Sequence, residues 1–296
     1  MRLLAVVVCL SALEGHLACV TNGSRGRRGP FEPNKIPVLA SSNKAVEVTR
    51  RVGRFDKLSV NTIADVTVHQ GESTAEKLRL VVNSAWEPYV ETSVRDGRLV
   101  VDFRRGYYPK CQYFRNRNCV MKITVTTPSL VDIQVTGAGG VYMGEGQFQS
   151  RDLSISVDGA GDVTQNQEVL GRLTVDVPGA ADIQLRGSAQ EAVYNLDGAG
   201  DVNAADFPTK DVKIHIRAAA NVQLNIGNSL LGEIEGAAEV VYSGRPSVVD
   251  VRLDEKESLR TADGSPVPNR QSSRYAEDVD EDDDDDEDDG DVDGFH

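Results

Sequence analysis

The chain has 296 residues, enough for one large domain or two small ones, and a formal net charge of −14. Of the 46 Asp and Glu residues, 14 lie between Glu277 and Asp293, a stretch with no Lys or Arg, so the remaining 32 acidic residues are matched by 32 basic ones. A like-charge block of this kind repels itself and has too little apolar surface to bury, which excludes it from any folded core.

From the N-terminus, Met1-Arg2 is followed by the apolar run Leu3 to Leu13, too short for the roughly 20 residues that cross a bilayer. With small residues near Ala18, it reads as a secretory signal peptide over residues 1–18. No other apolar run is long enough to span a membrane, so the expected product is secreted, with no transmembrane segment. Residues 19–45 are rich in Gly, Pro, Asn and Ser, lack periodicity and read as a flexible linker. Asn22-Gly23-Ser24 is a glycosylation sequon. Arg25-Gly26-Arg27-Arg28 reads either as a processing-protease site or as a basic linker. Cys9 leaves with the signal and Cys19 can leave at either cleavage, while Cys111 and Cys119 remain and are expected to form one disulfide in an oxidising compartment.

Residues 46–260 alternate apolar and polar residues almost throughout. Phe55 to Val60 and Ala64 to Val68 form a degenerate first copy of a strand–corner–strand unit. Leu78 to Val82, Leu99 to Phe103 and Val120 to Val125 read as further strands, with Gly97 in a hairpin turn. Then a repeat sets in: Gly137-Ala138-Gly139-Gly140-Val141 returns as Gly159-Ala160-Gly161-Asp162-Val163, Gly179-Ala180-Ala181-Asp182-Ile183 and Gly198-Ala199-Gly200-Asp201-Val202, and more loosely before Val222 and Val240. Ahead of each copy, apolar residues recur at every second position, as in Leu153, Ile155, Val157 and Leu173, Val175, Val177. Period two denotes a strand with one buried face. A strand, a small-residue corner and a second strand every ~20 residues make one coil of a solenoid. The fold class is therefore all-β, a right-handed parallel β-helix. Residues 261–296 form a disordered linker and the acidic tail.

The Phe-Asp-Lys-Leu-Ser-Val opening at Phe55, the stacked Gly-Ala-Gly-Asp-Val corners and the closing Val240 to Pro246 resemble the GIN domain, the head of a group of proteins described as auto-transporter adhesins. The resemblance covers about residues 47–260. It implies an exported β-helix and no particular activity, and carries over no functional residues.

Three features carry candidate chemistry. Stacking places Asp162, Asp182 and Asp201 in one column, which either holds Ca²⁺ through carboxylate oxygens or caps backbone N–H groups at the corners. The stretch from Phe103 to Cys119 has no acidic residue and interleaves Arg104, Arg105, Lys110, Arg115 and Arg117 with Tyr107, Tyr108, Tyr113 and Phe114. Aromatic faces beside fixed positive charge suit glycans or polyanions. The same stretch could instead bind the acidic tail, or cover the open end of the solenoid. The tail itself could take up Ca²⁺ or mineral, or serve only to solubilise.

His69, His215 and His296 are isolated, and no nucleophile elbow, zinc-binding His-Glu-x-x-His or phosphate loop occurs. The expectation is a non-enzymatic extracellular binding or adhesion protein. It needs no cofactor beyond a possible Ca²⁺, and its partner is a glycan, matrix or cell-surface ligand rather than nucleic acid. The alternatives are a calcium- or mineral-associated matrix protein acting through its tail, and a carbohydrate-active enzyme such as a polysaccharide lyase.

Overall fold

The computed structural model describes residues 38–39, 44–71, 77–109, 120–144, 146, 148–217, 219–254 and 258–268. The signal peptide, Asn22, the Arg28 site, Cys111, Cys119 and the acidic tail lie outside these residues. Within the segment read as linker, Val38–Leu39 pairs in parallel with Tyr108–Pro109.

The described body is a parallel β-solenoid of about six turns. Its interior is made of aliphatic rows. On one face Val60, Val135 and Val157 are cross-strand partners. The pairing of Ser156 with Asp176 sets Val177 beside Val157, and Leu196, Ile216, Ile234 and Leu253 continue the row. On the other face, each residue that closes a Gly-Ala corner lies above the last. The row runs Ile123, Val66, Val141, Val163, Ile183, Val202, Val222, Val240, Leu259. All these residues except Leu253, which packs half-buried against the end of the core, are 2% exposed or less or, for Leu259, 3%. Each contributes about 1.5–3 kcal/mol on burial.

The corners are tight because backbone lies directly on backbone. A Cβ built on Gly159 would sit 1.9 Å from the carbonyl oxygen of Gly137, and one on Gly198 would sit 1.7 Å from that of Gly179. At these two positions no side chain fits without parting the coils, whatever its dihedral preference.

The start of the stack departs from chain order. Lys57–Val60 lies between Asp132–Val135 on one side and Arg98–Phe103 on the other, both parallel. Asp65–Gln70 likewise lies between Val141–Met143 and Met121–Thr127. The strands Arg98–Phe103 and Met121–Thr127 are therefore inserted beneath the degenerate first copy, at the outer end. Antiparallel strands then close that end. Val90–Arg95 pairs with Arg98–Phe103 through a two-residue hairpin in which Asp96 (φ 50°) and Gly97 (φ 73°) are both left-handed, the geometry a right-twisted hairpin requires. Lys77–Asn83 pairs antiparallel with Met121–Thr127, and Ala45–Arg51 with Lys77–Asn83. Arg50 ties the two closing layers together: its Nη1 donates to the Val90 carbonyl at 2.6 Å, and its Nη2 to the Glu87 carbonyl at 3.2 Å and to Glu87 Oε1 at 2.8 Å. Trp86, fully buried, fills the space behind them. Without these layers, a raw strand edge would invite pairing with another chain.

Candidate functional site

The carboxylate column forms as the coil spacing predicts, and its oxygens meet N–H donors of the next coil. Asp182 Oδ1 accepts the Asp201 amide at 3.4 Å, and Asp201 Oδ1 accepts both the Asn221 amide at 3.2 Å and its side-chain Nδ2 at 2.9 Å. Burial pushes the Asp162 carboxyl above its ordinary range. The Asp182 and Asp65 charges push it the same way, and a hydrogen bond from the Asp182 backbone partly offsets them. The Tyr142 hydroxyl lies over Gly140, and it too is pushed up, first by burial and then by the charges of Asp65 and Asp162. Among the described residues no three His, Cys, Asp or Glu side chains converge as a metal-holding group.

Asp162→Asn is therefore expected to stabilise the protein at neutral pH. The folded-state pKa of Asp162 lies above the unfolded value, so the folded state holds more protons between the two, and stability falls as pH rises through that window. The variant escapes this cost and keeps an acceptor oxygen. Its thermal midpoint should exceed that of the wild type at pH 7, and the gap should close below the ordinary carboxylate value of 3.8. The same pair of melts in calcium chloride tests the ion reading: Ca²⁺ held by this column would raise the wild-type midpoint and spare the variant.

Of the Arg- and Tyr-rich stretch, the described part is its root. The Arg104 amide donates to the Tyr89 carbonyl at 2.7 Å, and the Tyr107 amide closes a turn onto the Arg104 carbonyl at 3.0 Å. Gly106 takes the left-handed conformation in that turn (φ 88°). The Tyr107 ring stacks on Tyr89 with centroids 4.4 Å apart and planes tilted by 31°, so Tyr107 is partly buried against the end of the core. Arg104 and Arg105 are exposed, and Arg104 Nε is 3.4 Å from Glu91 Oε1. Tyr108 contributes its backbone to the pairing with Val38–Leu39. Lys110, Tyr113, Phe114, Arg115 and Arg117 lie outside the described residues. The structure thus brings together Arg104, Arg105 and Tyr107 at the cap end, away from the Asp column along the stack.

A groove that the sequence reading missed lies at another corner of the solenoid, with a volume of about 480 Å³. Arg151, Asp152, Ser154, Arg172, Thr174 and Gln190 are among its lining residues. Its origin is a β-bulge: Leu170 and Gly171 stand opposite the single residue Gln190, between the pairs Val169–Ala189 and Arg172–Glu191. Leu170 points outward, as the alternation of its strand places it after the buried Val169, and is 52% exposed, the exposed large hydrophobic side chain of the described residues. Gly171 admits Asp152 to this corner, because a Cβ there would lie 2.6 Å from Asp152 Oδ1. That oxygen accepts the Arg172 amide at 2.9 Å, while the Arg172 guanidinium holds Glu191 Oε2 at 2.7 and 3.0 Å. Behind the groove, the buried Gln167 donates from Nε2 to the Leu130 carbonyl at 3.0 Å and to Ser150 Oγ, and Gln165 donates to the Gln167 carbonyl at 3.0 Å. The available sequence signal was an apolar residue, Leu170, at an outward position of its strand, but the groove's other residues come from neighbouring coils.

No helix among the described residues is long and apolar enough to cross a membrane. The model of the family described as "Putative auto-transporter adhesin, head GIN domain" matches residues 54–246. No curated protein matches in sequence. Among solved structures, the chain resembles a putative adhesin from Bacteroides fragilis with a TM-score of 0.66 and 21% identity, over 75% of this chain and 99% of that one. It also resembles a putative adhesin from Parabacteroides merdae (TM-score 0.56, 18% identity, 76% and 98% covered). A protein from Parabacteroides distasonis described as a putative lipid binding protein is similar too (TM-score 0.52, 15% identity, 76% and 99% covered). At these identities the likenesses concern the fold.

Proposed function

We propose a function from one premise: the chain belongs to the family of GIN domains, the heads of putative auto-transporter adhesins. It is an exported, non-enzymatic binding module whose solenoid is a rigid scaffold and whose ligand is an extracellular glycan or polyanion. The observation that carries this reading is the root of the Arg- and Tyr-rich stretch. There the Tyr89–Tyr107 stack and the Arg104–Tyr89 hydrogen bond anchor a segment to the closed end of the stack, with Arg104 and Arg105 turned to solvent. So anchored, Arg104 and Arg105 are presented at less entropic cost than on a free chain.

The outward carboxylates support a structural use over a catalytic one: those of Asp182, Asp201 and Glu191 are engaged by neighbouring coils. The test is a glycan array that includes sulfated and uronic polymers. Replacing Arg104, Arg105, Arg115 and Arg117 together by Ala is expected to weaken binding of acidic glycans more than tenfold, since charge-assisted hydrogen bonds are worth about 1.5–3 kcal/mol each. Release of reducing ends or unsaturated products from any bound polymer would refute the non-enzymatic part.

A further inference from the structure

We propose that the groove beside Gly171 is a second, separate carbohydrate subsite, one that takes uncharged sugar units; this rests on the glycan-binding reading above and adds a site to it. Three observations carry it. First, the groove balances its charge: Arg151 and Arg172 against Asp152 and Glu191, with the hydroxyl-bearing Ser154 and Thr174 and the amide of Gln190 among them. Donors and acceptors of both kinds are what a polyhydroxylated neutral ring requires, whereas an anion would meet two carboxylates and a cation two guanidinium groups. Second, these polar groups are held in place before any ligand arrives. Arg172 is fixed by Glu191, Asp152 by the Arg172 amide, and Gln190 Oε1 accepts from Lys210 Nζ at 3.3 Å. That leaves the Arg151 side chain, 92% exposed and no nearer than 3.9 Å to Asp152, able to turn toward a bound hydroxyl. Third, the exposed Leu170, next in the chain to the groove's Gly171, offers an apolar surface of the kind that covers the C–H face of a sugar ring. About 480 Å³ accommodates a short oligosaccharide segment.

This subsite differs in chemistry from the cationic stretch at the cap, so the two can be separated. The full mature chain, its Arg151→Ala/Leu170→Ser variant and its Arg104→Ala/Arg105→Ala variant would be titrated with cellohexaose, xylohexaose, mannohexaose and chitohexaose, and with heparin and oligogalacturonate fragments. Both altered pairs are solvent-exposed, so circular dichroism should be unchanged. The expected result is at least tenfold weaker binding of a neutral hexasaccharide by the Arg151/Leu170 variant, with the Arg104/Arg105 variant unaffected. Amide NMR signals of Ser154, Thr174 and Gln190 should shift on adding that sugar to the wild type. Neutral-sugar binding that survives in the Arg151/Leu170 variant overturns the subsite. So does wild-type binding restricted to the acidic fragments, which would leave the adhesion reading standing. Binding of none of these sugars overturns both.

Discussion

Gly198→Val is expected to break the protein into two separately melting halves. The new side chain would be driven into the Gly179 carbonyl oxygen, which a mere Cβ already approaches to 1.7 Å, and into the Pro178 and Gly179 carbonyl carbons at 2.8 and 2.7 Å. All three are backbone atoms, so relief comes only by parting one coil from the next. The cost is about 3 kcal/mol or more, at the upper end for overpacking. In a solenoid, stability is a sum of coil and nearest-neighbour terms, and a defect at one interface uncouples the coils on its two sides. The chain's single tryptophan, Trp86, lies on the N-terminal side of the break. Urea unfolding followed by its fluorescence should therefore report the N-terminal coils alone, while far-ultraviolet circular dichroism reports both parts. The two curves, coincident in a cooperative wild type, should separate in the variant. Coincident curves with an unshifted midpoint would show that the corner tolerates a side chain, and the backbone-on-backbone account would fail.

Trp86→Ala acts at the other end of the stack and links the core to the proposed ligand site. Trp86 is fully buried, its amide donates to the Asn83 carbonyl at 2.9 Å, and its carbonyl accepts the Tyr89 amide at 2.8 Å. Removing a buried Trp costs about 3–5 kcal/mol. Here the loss falls on the short helical turn that positions Tyr89, and through Tyr89 on Tyr107 and Arg104. Hydrogen exchange should quicken over residues 86–104 while the coils beyond Asp132 keep their protection. Binding of acidic glycans through the Arg-rich stretch should weaken as well, although Trp86 cannot touch a ligand. Unchanged exchange at residues 89–104 would show that the cap does not depend on this side chain.

How much of this was legible in the sequence depended on the kind of contact. The inner rows were legible because strand periodicity assigns Val157, Val177 and Leu196 to one face, and the ~20-residue spacing assigns them to successive coils. The Gly-Ala corners were legible because only backbone crowding explains small residues at that spacing. Gly97 marked its hairpin by turn chemistry alone. The order of the stack at its start was not legible. Alternation tells Leu58 and Leu99 which way to point but not that Lys57–Val60 and Arg98–Phe103 are neighbours, since two strands with the same pattern pair equally well with several partners. The groove was hidden for a related reason. Arg151, Arg172 and Gln190 come from three coils, and the bulge at Leu170-Gly171 acquires meaning only beside the shorter neighbour that carries Gln190. For the Arg- and Tyr-rich stretch, the sequence identified the composition, and the structure added that Tyr107 is an anchor packed on Tyr89.

The inserted strands at the start of the stack impose a timetable on folding. Synthesis delivers Lys57–Val60 first, but its two parallel neighbours begin at Arg98 and Asp132, so the strand must wait for segments made later on either side of it. The later coils face no such delay, because each can dock on its predecessor as soon as it emerges. Closing the distant loop is the slower, entropically costlier event. The strand made first thus keeps an unsealed edge until residues 98–103 and 132–135 have followed it, and only then does the stack have a finished coil on which the later ones can dock.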